Sequence, residues 1–162
     1  MTTTILITAL GVPKPKGSLR HIGHGTLIEH VKGSTIWRET IAHQAFYSIR
    51  KIRNNYPHDN PAPGTWEPLQ GPIQVEITLT FAKPKSSPKN VETWPVTRYT
   101  GDADKHARNV LDALVDGRVM RDDAQVVQCT VRKCYPGQHS DALTEPGAVI
   151  RIHTVHTTAH QR

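Results

Sequence analysis

The chain has 162 residues with 12 Pro and 11 Gly, a hydrophobic content of 36%, and a formal charge of +6 from 20 Lys and Arg against 14 Asp and Glu. That length fits one domain with one core, and a mean hydropathy of −0.48 implies long polar connections. A pI near 9.6 favours a polyanionic partner, whereas the apolar run Ile5 to Leu10 is too short for a membrane span and lacks the basic leader of a signal peptide. The expectation is a soluble, cytoplasmic protein.

Thr2 to Leu10 is rich in β-branched residues and reads as a strand. The following GVPKPKGSLRHIGHG carries two prolines, four glycines and the cations Lys14, Lys16 and Arg20. It reads as a loop without regular structure, of the kind that brings backbone N–H groups and cationic side chains close to phosphates. Ser34 is placed to cap a helix from Thr35 to about Arg53, with Trp37, Ile41, Ala45, Ser48, Ile49 and Ile52 on one packed face and Phe46 also assigned to the core. Five prolines make 54–72 a loop.

Ile73, Val75, Ile77, Leu79 and Phe81 alternate with polar residues and mark a half-buried strand over about 73–82. The next stretch is a basic loop bearing Lys83, Lys85, Lys89 and Arg98. A helix is expected over 104–115, with Ala107, Val110, Leu111 and Leu114 as its buried stripe and Asp116-Gly117 as its stop. Strands follow at about 125–135 and 148–156. Cys129 and Cys134 lie five apart on the first of them, which sends their side chains to opposite faces and argues against a disulfide. Residues 157–162 are expected to fray.

The stretch Gly101 to Val126 departs from its surroundings. It holds six aspartates against four Lys and Arg, so it is net −2 while the rest of the chain sums to +8. Asp102 and Asp104 bracket a helix start, and a turn before Asp122-Asp123 would let the second pair return alongside the first. Carboxylates gathered in this way repel one another unless a cation lies between them, and a divalent metal held by them would neutralise a phosphodiester and activate water. Each aspartate also has an ordinary use as a helix cap or turn residue. His106, His153, His156 and His160 show no regular ligand spacing and are assigned structural or incidental roles.

The same stretch resembles RusA-type Holliday junction resolvases. Asp102-Ala103-Asp104-Lys105, Arg108, Leu111-Asp112-Ala113-Leu114 and Asp122-Asp123-Ala124-Gln125-Val126 follow the family's D-x-D-N-x-x-K, L-D-A-L and D-D-x-Q-V segments. Pro13 to Arg20, Phe81 with Lys83-Pro84-Lys85, and Val131 to Tyr135 extend the likeness over nearly the whole chain. The resemblance implies that Asp102, Asp104 and Asp123, with Asp122 beside them, bind Mg²⁺ (Mn²⁺ substituting) and carry catalysis, and that the protein acts as a homodimer on branched, four-way DNA. Lys105 stands where the family has asparagine, and Arg108 where it has lysine.

The reading is an α+β fold: a single domain over residues 1–156, with a mixed sheet of about four strands and two main helices packed on it. The expected activity is metal-dependent junction cleavage, with Arg108 supporting the phosphate and Lys14, Lys16, Arg20, Lys83, Lys85 and Lys105 contacting DNA. The alternatives are a non-catalytic basic DNA-binding protein, or a metal nuclease for other branched DNA or RNA.

Overall fold

A computed structural model describes residues 4–17, 19–21, 27–29, 31–55 and 67–156. The sheet contains β1 (Thr4–Leu10), β4 (Ile73–Thr80), β5 (Val126–Cys134) and β6 (Gly147–Thr154), in the order β1-β6-β4-β5. β6 pairs antiparallel with both β1 and β4, whereas β4 and β5 run parallel. Helices α1 (Ser34–Asn55) and α2 (Ala103–Asp116) complete the α+β domain. The sheet is therefore mixed, as expected, and every main element begins and ends within two residues of its expected bounds.

One segment corrects the reading. Inside the stretch assigned to irregular loop, β2 (Leu19–His21) forms and pairs antiparallel with β3 (Leu27–Glu29), just beyond that stretch, as a separate two-stranded ribbon. The prolines and Gly17 that suggested loop all precede it, and Leu19, Leu27 and Ile28 supply β-compatible residues. Residues 157–162 and most of the proline-rich loop lie outside the described residues.

The core follows from the strand alternation. Ile5, Ile7 and Ala9 of β1, Ile73, Val75, Ile77 and Leu79 of β4, and Ala148, Ile150 and Ile152 of β6 are buried in one cluster with Trp37, Ile41, Ala45 and Ile49 of α1. Each large aliphatic among them contributes roughly 1.5–3 kcal/mol by leaving water. Phe46 is not part of it: its side chain is half exposed, because it lies off the row formed by Ile41, Ala45 and Ile49. Thr78 and Thr80 on the second face of β4 are also buried, and the Thr80 hydroxyl accepts from the Leu143 amide at 2.9 Å, where the 135–146 connection crosses that face. The cysteines behave as their spacing predicts, Cys129 exposed, Cys134 buried, both unpaired.

The buried face of α2 is rotated relative to the apolar stripe. His106, Asn109, Val110, Ala113 and Leu114 are buried, while Ala107 and Leu111 are partly covered. Two polar residues can occupy this face because backbone oxygens meet them. The Asn109 amide donates to the Lys14 carbonyl at 2.9 Å and is 3.2 Å from the Ser34 hydroxyl.

Gly117 ends α2, but not as a left-handed cap: its φ is −75, and the positive φ falls on Arg118. A Cβ at Gly117 would stand 2.8 Å from the Ala42 carbonyl and 2.9 Å from the Ala45 Cβ of α1. Close approach of the two helices is what requires glycine there. Gly117→Ala is expected to lower unfolding stability by about 1–3 kcal/mol through forced separation of α1 and α2, measurable by urea denaturation.

Candidate functional site

The β4–α2–β5 crossover sets the position of every acidic candidate. Because β4 and β5 are parallel, α2 returns antiparallel to both, and its first turn lies at their carboxyl ends. Phe81, just past β4, meets the His106 ring edge-to-face at 5.7 Å, and Lys133 near the end of β5 reaches the Gly101 carbonyl at 2.6 Å. Crevices at the carboxyl ends of parallel strands, beside a helix N-terminus, are where α/β units present ligands. A cleft opens here, lined by Pro15, Lys16, Val31, Arg98, Gly101, Asp102 and Lys105.

Asp102 occupies the N-cap position of α2, yet its side chain makes no capping hydrogen bond. Its carboxylate instead meets the Lys105 ammonium at 2.9 Å, and that bond and charge hold the Asp102 carboxyl below the ordinary aspartate value. Asp104, in the first turn, is exposed, and Arg108 lies one turn further along the helix, also exposed. Neither has a hydrogen-bonding or ion-pair partner among the described residues. The cap explanation for Asp102 therefore does not apply: its carboxylate is directed outward.

The second pair has a different situation. Asp122 accepts from the Ala124 amide at 2.8 Å, and Gln125 Oε1 accepts in turn from the Asp122 amide at 3.2 Å, which is a complete capping box. Gln125 Nε2 also donates to the Leu69 and Gly71 carbonyls at 2.8 and 3.1 Å, fastening the entry to β4. Much of the D-D-x-Q segment is thus structural, and Asp123 is its one carboxylate without a described partner.

Asp122 and Asp123 share a depression with Arg38, Asp112, Asp116 and Arg121 at the C-terminal end of α2. Arg38 grips Asp116 with two hydrogen bonds of 2.5 and 3.0 Å, and Asp112 takes the Lys16 ammonium at 2.6 Å. This depression reaches back along α2 as far as Asp112, whereas Asp102 and Asp104 stand at the other end of the helix. Asp122 and Asp123 therefore line a different recess from the cleft that Asp102 lines. Among the described residues, no group of three or more His, Cys, Asp or Glu is placed to hold a metal ion.

The cationic candidates divide similarly. Lys16 and Lys105 already pair with Asp112 and Asp102. Lys83 and Lys85 are exposed on the connection that leaves β4 at the cleft end. Lys14 contributes its carbonyl to Asn109, and the side chain of Arg20 lies outside the described residues.

Three groups hold the backbone behind this cleft: Gly101, Lys133, and His106, to which the sequence reading gave a structural or incidental role. Gly101 has φ 74 and ψ 171, a region that glycine alone adopts readily, and a Cβ there would stand 2.7 Å from Pro15 and 3.2 Å from the His106 ring. Lys133 donates to Gly101, and burial pushes its ammonium below the ordinary lysine value, against the pull of Asp102. His106 is fully buried, with Nε2 donating to the Thr100 carbonyl at 2.6 Å and Nδ1 unpartnered. The available signal was the placement of His106 and Asn109 beside the apolar stripe of a helix, where polar residues require partners.

Burial, reinforced by Lys133 and opposed by the Thr100 bond and Asp102, lowers the His106 pKa. The folded chain therefore keeps it neutral where an unfolded histidine takes up a proton, below about pH 6.5. Stability should be unaffected by this group above that pH and fall progressively below it. Urea unfolding at pH 7.5 and 5.5 tests the sign, and His106→Phe should show the smaller loss on acidification.

Comparison with known proteins gives one family. Residues 38–152 match the family model described as Endodeoxyribonuclease RusA. No curated protein matches the chain.

Proposed function

Because the chain belongs to the RusA family of endodeoxyribonucleases, we propose that it is a Mg²⁺-dependent nuclease that resolves four-way DNA junctions as a homodimer. The observation that carries the reading is the Asp102 carboxylate, which sits at a helix N-cap without capping and lines a cleft at the carboxyl ends of two parallel strands.

The donor set fits a hard divalent cation. Asp102 and Asp104 offer carboxylate oxygens at one helix end, and Mg²⁺ commonly takes one or two carboxylates while keeping waters and substrate phosphate in its remaining positions. When bound, the ion would supply charge neutralisation and an acidified water. Lys105 keeps Asp102 ionised and, once its ammonium is released, is placed to meet a phosphate. Arg108, unable to act as a base, offers a permanently charged guanidinium one turn beyond Asp104 to steady a phosphate oxygen. Lys14, Lys16, Arg20, Lys83 and Lys85 are assigned to backbone contacts, whose contribution weakens with salt.

Asp123 enters this scheme only through a second copy. A two-fold axis that set two α2 helices antiparallel would bring the Asp102–Asp104 end of one protomer to the Asp123 end of its partner. Two composite sites would then face opposed strands of the junction, which is the symmetry the substrate has. Asp122, held by its capping box, would orient Asp123 rather than bind directly.

Asp104→Asn is expected to abolish cleavage of a four-way junction in Mg²⁺ while gel-shift affinity in EDTA is retained; cleavage by the variant would remove Asp104 from the site. The composite arrangement has its own test. Asp104→Asn and Asp123→Asn, each inactive alone, should regain nicking of one strand when mixed, since each heterodimer assembles one intact site. A mixture that stays inactive would place the whole site within one protomer, and junction binding without any metal-dependent cutting by the wild type would identify a DNA-binding protein instead.

A further inference from the structure

Tyr99 is 97% exposed, and the nearby Val96 is 81% exposed. Tyr99 forms the middle of the 3-10 turn Arg98–Thr100, immediately before the cleft residues Gly101 and Asp102. The backbone around it is firmly held. The Thr100 amide donates to the Thr97 carbonyl at 3.0 Å, and the Thr100 hydroxyl lies 2.9 Å from the Pro95 carbonyl. His106 binds the Thr100 carbonyl at 2.6 Å, and Lys133 binds Gly101 at 2.6 Å.

The ring itself gains nothing from folding. It buries almost no surface, and its hydroxyl has no hydrogen bond among the described residues. An exposed aromatic side chain on a held backbone thus stands between Arg98 and Gly101, two residues of a cleft that Lys16 and Lys105 also line, each of these lysines in an ion pair with an aspartate. An aromatic platform beside a cationic track is the arrangement that recognises unstacked nucleobases, since every base has a π-face and its phosphate follows the cations. Intact duplex offers no such face away from its ends, whereas a branch point does.

We propose that Tyr99 stacks on a nucleobase unstacked at the DNA branch point and thereby places the neighbouring phosphodiester at the Asp102 cleft. The proposal rests on the nuclease reading above and deepens it: the ring selects branched over linear DNA. Its cation-bearing neighbours contribute affinity to both substrates, and the ring contributes to one.

The experiment uses the full chain in EDTA with a four-way junction carrying 2-aminopurine at the branch point, and a linear duplex carrying the same base internally. Wild type and Tyr99→Phe should quench the branch-point probe, and Tyr99→Ala should not. Junction affinity of Tyr99→Ala should fall roughly tenfold while duplex affinity is unchanged, and its thermal unfolding should match wild type because the residue is exposed. Equal quenching by Tyr99→Ala, or equal loss of junction and duplex affinity, would overturn the proposal. A parallel Mg²⁺ cleavage assay separates the two readings: quenching without cutting by the wild type sinks the nuclease assignment and supports stacking, whereas cutting with a Tyr99→Ala variant indistinguishable in selectivity sinks stacking alone.

Discussion

The parallel pairing of β4 with β5 is the constraint on which the rest of this molecule depends. Two parallel neighbours need a crossover, and α2 provides it, so the helix must run against both strands. Its N-terminus is thereby delivered to their carboxyl ends, where partial positive charge from the helix favours carboxylates and the loop after β4 brings further cations. Its C-terminus is delivered to the opposite end of the same strands. One topological requirement sets the cleft at Asp102 and the depression of Asp122 and Asp123 toward opposite ends of α2.

The cleft is held from behind by polar groups that are expensive to bury alone and inexpensive when paired. Asn109 joins the Lys14 carbonyl to the start of α1, His106 holds Thr100, and Lys133 holds Gly101. These bonds fix the loop before Asp102 in a backbone geometry open only to glycine, and they account for the polar side of a helix facing inward. Rigidity on that scale suits a site whose substrate is a stiff polyanion, because ordering lost on binding is ordering already present.

The identical-looking aspartate pairs illustrate how structure sorts roles that sequence leaves equivalent. Asp102 stands where a cap belongs and does not cap; Asp122 stands in a turn and caps fully. The first exchanges a backbone bond for an ion pair with Lys105, the residue at which this chain departs from the family's asparagine. That substitution stations an ammonium against the carboxylate that would meet a cation.

The sequence by itself determined the four strands of the main sheet, the two helices and the acidic segment, because period-two and helical alternation of apolar residues is a local property that the backbone repeats geometrically. It also carried the family motif, whose residues are contiguous. Tertiary structure decided the rest. The rotation of α2 that buries His106 and Asn109, the need for Gly117 against α1, the exposure of Phe46, the hold of Lys133 on Gly101, and the distance between the aspartate pairs each depend on contacts between residues far apart in the chain. No window of sequence contains both partners, so only the packing of α2 across β4 and β5 could place them.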